Sequence, residues 1–226
     1  MHNYNALVAL YEFHDRFVQD FPRACREGCS TCCTVNVTAT SLETSWLAAN
    51  SDIDMEKIKI AARKPRYQPA ITANRLALAC LNQQELPEET SGHAPGACPL
   101  LDETGRCSVY EYRPFSCRAM LSASTCREAG EADMPPFIFT VNLAFYQILE
   151  HLDRHGFSGN MIDLLDESGE RDAHSRQLKT NSPVPDFMVP PDEQLRFRSL
   201  LRRIFNTELS DGSRLADLLP EELLQT

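Results

Sequence analysis

The sequence predicts a mainly α protein, a single helical domain with cysteine-bearing loops between its helices and one small β-hairpin as a candidate. Apolar residues recur at helical spacing in three stretches, 7–21, 138–152 and 197–205, so each stretch would bury one face. Most cysteines fall between these stretches, in short segments rich in polar residues, glycine and proline. These observations favour helices that hold irregular loops over an extended sheet.

The first helix is predicted over residues 7–21, and Pro22 follows directly, where proline would end it. Thr40 and Glu43 then have the spacing of a capping box, in which each side chain bonds the backbone of the other residue. This pair predicts the start of a second helix. The first group of cysteines therefore lies in a loop between two helices.

The middle of the chain predicts two short helices within residues 53–82, interrupted around Pro65 and Pro69. Residues 84–97 are polar and contain glycine and proline, so they predict a loop. Asp102-Glu-Thr-Gly105 is a turn signal between two short extended pieces, which makes this segment the candidate hairpin.

The C-terminal third predicts a weaker helix over 160–166, a proline-rich surface segment over 171–191 and a short helix near 213–224. Because the chain after about residue 168 has no cysteine, we divide it into a cysteine-cluster domain, 1–168, and a C-terminal helical extension, 169–226, packed on it or part of it.

Composition limits the partners of this chain. The formal net charge is −10, and both nucleic acids and anionic membranes reward clustered lysine and arginine, so we expect neither as a partner. The start of the sequence lacks the features of a secretory signal, and no stretch approaches the roughly 20 apolar residues of a membrane span. We therefore expect a cytoplasmic protein whose redox or protein partner is unknown.

Nine cysteines are present, an odd number that rules out complete internal pairing. Structural disulfides are also rare in a reducing cytoplasm, so both facts favour metal ligation over disulfides. Thiolates are soft ligands that suit zinc, Cu(I) and iron–sulfur clusters.

The densest cysteine segment is Cys25-x3-Cys29-x2-Cys32-Cys33. Its first three cysteines are spaced so that one loop could wrap a single metal centre, and Gly28 could supply the left-handed backbone of a tight wrap. The side chains of adjacent residues diverge in regular backbone, so Cys32 and Cys33 would rarely bind one ion together. Either one of them is a bystander or they belong to two centres. We favour two centres because the chain offers further thiols.

Those thiols come from a second, looser segment, in which Cys98, Cys107 and Cys117 follow a C-x8-C-x9-C pattern. Intervals of this length are, by themselves, weak evidence of a metal site. Together with the first group they are strong evidence of a metal site, because one closed site needs about four ligands and this chain offers more cysteines than that.

These two blocks resemble the YkgJ-like cysteine-cluster proteins, a zinc- or iron-chelating family named for its CxxCxxCC motif. The resemblance rests on Cys25 to Cys33 and on Cys98-Pro-Leu-Leu, Gly105-Arg-Cys107-Ser-Val-Tyr110 and Arg113-Pro114-x2-Cys117-Arg118, and it covers roughly residues 22–120. The first gap, three residues instead of two, departs from the family pattern.

The resemblance implies bound iron, with a 4Fe–4S cluster favoured, or else zinc. We expect seven metal ligands: Cys25, Cys29, Cys32, Cys33, Cys98, Cys107 and Cys117. Arg113 and Arg118 are candidates to neutralise the cluster or bond its sulfurs, with ordinary salt bridges as the alternative. Cys126 is either a ligand or an ordinary thiol. Cys80 lies in an apolar helical run and is expected to be buried.

Three functions follow from this set. The first is an iron–sulfur protein with an electron-transfer or accessory role, and the second is a zinc-stabilised interaction module that catalyses no reaction. The third is a protein-modifying enzyme, since one branch of the family resembles larger lysine N-methylases, although this chain lacks a G-x-G-x-x-G loop. The sequence does not decide whether the chain is an enzyme.

Overall fold

A computed structural model describes residues 3–26, 28–89, 92–126, 130–166 and 177–225. Across these ranges the mainly α prediction is confirmed, with eight α-helices, three short 3-10 helices and one small sheet. The α-helices are α1 (Tyr4–Val18), α2 (Ser41–Asn50), α3 (Met55–Ala62), α4 (Ala73–Leu81), α5 (Phe115–Ala119), α6 (Pro136–Leu152), α7 (Met161–Leu165) and α8 (Gln194–Phe205). The 3-10 helices are Tyr110–Tyr112, Leu215–Leu218 and Glu221–Gln225.

The sheet has three antiparallel strands in the order β1 (Thr38–Thr40), β2 (Phe157–Asn160) and β3 (Lys179–Thr180). Thr38 pairs with Asn160, so the sheet joins the end of the first cysteine loop to the start of α7. The predicted hairpin around Asp102 is smaller than expected, because one isolated bridge, between Leu101 and Cys107, closes its turn.

Helix α6 lies at the centre of the larger hydrophobic core. Phe145 and Ile148 on this helix are fully buried, and the Phe145 ring stacks on Phe115 of α5 with centroids 5.3 Å apart. Burying a large apolar side chain contributes about 1.5–3 kcal/mol. This core therefore fixes α5, the helix that carries Cys117, on the body of the protein.

A second, smaller core lies beneath the cysteine loops. It contains Val35 from the first loop, Leu100 and Val109 from the second, and Ile162 from α7, together with side chains of α2 and α3. Cys98 and Cys107 pack against its edge. The loops are thus anchored by apolar contacts even where they lack regular secondary structure.

The C-terminal segment shares the larger core with α1 and α6. Val184 and Phe187 are buried there, so the expectation of a surface segment over 171–191 is wrong for these two residues. The predicted domain boundary falls within residues 167–176, outside the described residues, and the division into two parts stays a prediction. No helix in the described residues is long and apolar enough to cross a membrane.

Candidate metal centre

The first cysteine block forms two tight turns between α1 and β1. The Cys29 N–H donates to the Arg26 carbonyl at 2.9 Å, and the Cys33 N–H donates to the Ser30 carbonyl at 3.0 Å. Gly28 has a φ of +83°, the left-handed conformation expected from the sequence, which glycine adopts without steric cost. The turns bend this short segment back on itself.

The second block runs antiparallel beside the first. The Cys98 N–H donates to the Cys33 carbonyl at 3.0 Å, and the Val35 N–H donates to the Gly96 carbonyl at 3.1 Å. Thr34 and Ala97 form the bridge between these bonds. Residues more than 60 positions apart in sequence are therefore joined through their backbones at the point where each block carries a cysteine.

A tight turn brings the chain back from Cys98 to Cys107. One carboxylate oxygen of Asp102 accepts hydrogen bonds from the Thr104 N–H at 2.8 Å and the Arg106 N–H at 2.9 Å. Gly105 has a φ of +79°, which a side chain would disfavour. This is the turn that the sequence predicted, and it positions Cys107.

Cys117 lies on α5, whose start is held by a buried carboxylate. Glu43 is 3% exposed and accepts hydrogen bonds from the Tyr11 hydroxyl at 2.8 Å, the Thr40 N–H at 2.8 Å and the Phe115 N–H at 2.7 Å. The predicted capping box at α2 is present, with Glu43 as its acidic member. The same side chain thus caps α2 and binds the first residue of α5.

These elements enclose a cavity of about 570 Å³. Part of its wall is apolar, formed by side chains such as Val37, Leu100 and Met161. The remaining wall includes all seven cysteines predicted as ligands, Cys25, Cys29, Cys32, Cys33, Cys98, Cys107 and Cys117. The fold therefore gathers two distant sequence blocks around one space.

The cavity carries more basic than acidic side chains. Five arginines line it, Arg23, Arg26, Arg106, Arg113 and Arg118, against three acidic residues, Asp15, Asp102 and Glu111. This local excess is notable in a chain with a net charge of −10. It suits an anionic group, such as a metal centre bound by several thiolates.

Comparison with known protein families gives one match. Residues 24–135 match the family model CxxCxxCC, which is described as "Putative zinc- or iron-chelating domain". Residues 24–135 belong to this family. The matched segment contains both cysteine blocks and runs from the residue before Cys25 to the start of α6. No curated protein and no solved structure matches the chain.

Five thiols of the CxxCxxCC domain, Cys32, Cys33, Cys98, Cys107 and Cys117, lie close enough to perturb one another. Burial raises the pKa of Cys117, and the negative charges of Cys98, Cys107 and Cys32 raise it further. Burial also raises the pKa of Cys98 to about 11, with Cys107 adding to the effect. The Cys32 thiol donates a hydrogen bond to Cys33, which lowers the pKa of Cys33, while burial and Cys117, Cys98 and Cys107 oppose that shift.

Cys25, at the start of the first block, has different thiol neighbours, and Cys32 lies between the two groups. Burial raises the pKa of Cys25, which also responds to the charges of Cys29, Cys126 and Cys32. The pKa of Cys32 is strongly raised, first by the hydrogen bond it donates to Cys33 and then by burial. The raised pKa values of Cys25 and Cys32 favour the protonated thiols, and metal binding would displace these protons.

The two predicted arginines have different surroundings. Arg113 lies over the Tyr110 ring, 3.8 Å from its centroid, and its charge opposes the rise that burial causes in the pKa of Cys107 and Cys117. Arg118 is buried and pairs with Asp15 at 2.6 Å. Arg113 is therefore placed to neutralise a cluster. Arg118 instead forms a salt bridge, the alternative role given for it in the sequence analysis.

The donor set fits a thiolate-bound metal, although the side chains are not closed around one. Among the described residues, no three histidine, cysteine, aspartate or glutamate side chains yet lie close enough to share one ion. Seven thiols nevertheless line a single cavity, and metal sites rarely exist fully formed before the metal binds. Ligation by these seven residues stays a prediction.

One expectation about the other cysteines is wrong. Cys80 is exposed on α4, not buried, because this helix turns Asn74 and Ala77 toward the core instead. The Asn74 N–H donates to Glu150 of α6 at 2.7 Å, so a polar contact fixes the orientation of α4. The apolar run around Cys80 gave no sign of that contact.

Two residues that shape the site were not predicted for that role. Asp15 lines the cavity and binds Arg118, but an acidic residue on a helix carries no such signal. Glu43 was predicted as a helix cap, and its bond to the start of α5 depends on tertiary structure.

Proposed function

We propose that this chain holds an iron–sulfur cluster, a 4Fe–4S cluster in the favoured form, through the thiolates that line the cavity. The observation that supports this is the gathering of seven cysteines from two distant blocks around one space of about 570 Å³. A cluster brings its own sulfide and occupies volume, whereas a single zinc ion needs only four closely spaced ligands. The size of the cavity therefore favours a cluster over one zinc ion.

The proposed role is electron transfer, or redox assistance to a partner protein. Cys29 and Cys32 are exposed, so a cluster held here would lie near the protein surface, within reach of a docked partner. Arg113 beside Cys107 and Cys117 would offset part of the negative charge of the cluster. A reducing compartment such as the cytoplasm would keep the thiols available.

A zinc-stabilised interaction module is the second candidate. The cysteine loops contain little regular secondary structure, and a bound metal would supply stability that such loops otherwise lack. A protein-modifying enzyme such as a lysine N-methylase is the third candidate, and it rests on family resemblance alone. Binding of S-adenosylmethionine to the purified protein would support it.

Anaerobic purification followed by metal and sulfide analysis separates the first two candidates. The cluster proposal expects a brown protein with bound iron and acid-labile sulfide, whose visible absorbance bleaches with dithionite. Cys107→Ser, in the cavity, should lower the iron content, whereas Cys80→Ser, on exposed α4, should leave it unchanged. A colourless protein with stoichiometric zinc would contradict the cluster and favour the interaction module.

A further inference from the structure

The thiols around the cavity form two neighbourhoods that meet at Cys32. Cys33 is bonded through its backbone to Cys98, and the Leu101–Cys107 bridge returns Cys107 to the same place. Cys117 completes this neighbourhood, because Cys33, Cys98 and Cys107 all lie close enough for their charges to act on it or for its charge to act on them. We call these four residues, Cys33, Cys98, Cys107 and Cys117, the inner set.

The rest of the first block faces another segment of the chain. The Ala24 N–H donates to the Ser122 carbonyl at 2.8 Å, which places Cys25 beside the chain that leads to Cys126. The Ser122 N–H also bonds the Cys25 thiol. The charges of Cys29, Cys32 and Cys126 all act on that thiol. We call Cys25, Cys29, Cys32 and Cys126 the outer set.

The two sets meet at the adjacent residues Cys32 and Cys33. Cys33 is fixed to the second block by the bond from Cys98. The Cys32 thiol bonds Cys33, and the charge of Cys32 acts on both Cys117 and Cys25. The two residues differ in exposure, since Cys32 is exposed and Cys33 is half-buried. Because the inner set already has four members, the more exposed Cys32 is available to the outer set.

We infer that the eight thiols bind two metal centres, an inner one held by Cys33, Cys98, Cys107 and Cys117 and an outer one held by Cys25, Cys29, Cys32 and Cys126. This inference rests on the proposed metal-binding function and assigns Cys126 as the fourth ligand of the outer centre. Four thiolates are the complete ligand set of a structural zinc ion or of a 4Fe–4S cluster. The ninth cysteine, Cys80, lies outside both sets on exposed α4.

Cobalt(II) is a suitable probe, because thiolate-bound cobalt absorbs strongly and occupies tetrahedral zinc sites. The full chain, reduced and free of metal, is titrated anaerobically with cobalt against a competing chelator. We expect two tightly held ions per wild-type chain, since eight thiolates make two sets of four. Cys126→Ser and Cys29→Ser should each hold one, and Cys80→Ser should still hold two.

Double variants test the membership of each set. Cys29→Ser with Cys126→Ser removes two ligands from the outer set, so one tight ion should remain. Cys107→Ser with Cys126→Ser damages both sets, so no tight ion should remain. Circular dichroism of each variant checks folding, and the exposed positions of Cys29 and Cys80 allow their replacement without loss of packing.

The contrary outcomes distinguish failure of the two-centre division from failure of the iron–sulfur proposal. Two tight ions in Cys126→Ser, one in the wild type, or none in the Cys29/Cys126 double variant would each overturn the division into sets. Two cobalt ions with the expected variant pattern, in a protein that purifies without iron or sulfide, would uphold the division and overturn only the iron–sulfur proposal. Failure of the wild-type chain to bind cobalt or iron would overturn both.

Discussion

Replacing Glu43 by glutamine changes the buried carboxylate that joins α1, α2 and α5. One of its oxygens accepts from the Tyr11 hydroxyl and the Phe115 N–H, and the other accepts from the Thr40 N–H. Glutamine has nearly the same shape but offers one oxygen and one NH₂ group. In either orientation of the amide, a backbone N–H meets a donor in place of an acceptor.

The cost can be estimated from these three bonds. A hydrogen bond to a charged group contributes about 1.5–3 kcal/mol, and a buried donor left without a partner costs about 1–3 kcal/mol. Both figures describe the loss at one N–H, so they are not added in full. We expect Glu43→Gln to lower the free energy of unfolding by about 2–4 kcal/mol. That is a large share of the roughly 5–15 kcal/mol typical of a folded domain.

Urea unfolding, followed by circular dichroism, measures this change. Glu56→Gln is the matched control, because Glu56 lies in the first turn of α3, as Glu43 does in α2, but is exposed. We expect the control to change the free energy of unfolding by less than about 1 kcal/mol, the size of an exposed charge–dipole effect.

Loosening the start of α5 should also weaken metal binding, since Cys117 lies on the first turn of that helix. A Glu43→Gln protein as stable as the Glu56→Gln control would refute the view that this carboxylate holds the three segments together. Normal stability with weakened metal binding would also count against it, because the structural reasoning requires both effects.

Other predictions concern the core, a helix cap and pH. Phe145→Ala should lower the unfolding free energy by about 3–5 kcal/mol, because the ring is fully buried, whereas Phe139→Ala, 58% exposed, should cost far less in the same urea titration. Asp54→Ala removes the side chain that caps α3 and should cost about 0.5–2 kcal/mol by the same assay. Burial lowers the pKa of His14, so the folded chain binds fewer protons there than the unfolded chain. Its contribution to stability is therefore present above the unfolded pKa of about 6.5 and is lost as the pH falls below it, and His14→Gln should flatten this part of a stability–pH profile.

Local signals in the sequence were sufficient for several elements. The capping box between Thr40 and Glu43 predicts the start of α2, and the turn residues Asp102 and Gly105 predict the bend before Cys107, because both depend on contacts within a few residues. The contact of Glu43 with Phe115 spans 72 positions, and no local pattern encodes it.

The sequence predicted which cysteines line the candidate site better than it predicted how they are arranged there. Counting thiols indicated that the two blocks supply one region, and the cavity brings them together. The burial of Cys80 was predicted wrongly, because an apolar helical run does not reveal which face meets the core. The neighbourhood of Cys126 depends on the bond between Ala24 and Ser122, which is a tertiary contact.

The backbone pairing of Cys33 with Cys98 also has a practical consequence for dividing the chain. Residues 81–89, between the two blocks, are exposed, and a backbone cut there would leave one cysteine block on each fragment. Cavity-lining thiols would then come from both halves and meet only when the fragments associate. If the chain holds the proposed cluster, two separately expressed pieces should regain its visible absorbance on mixing, and reassembly of the protein would be visible by eye.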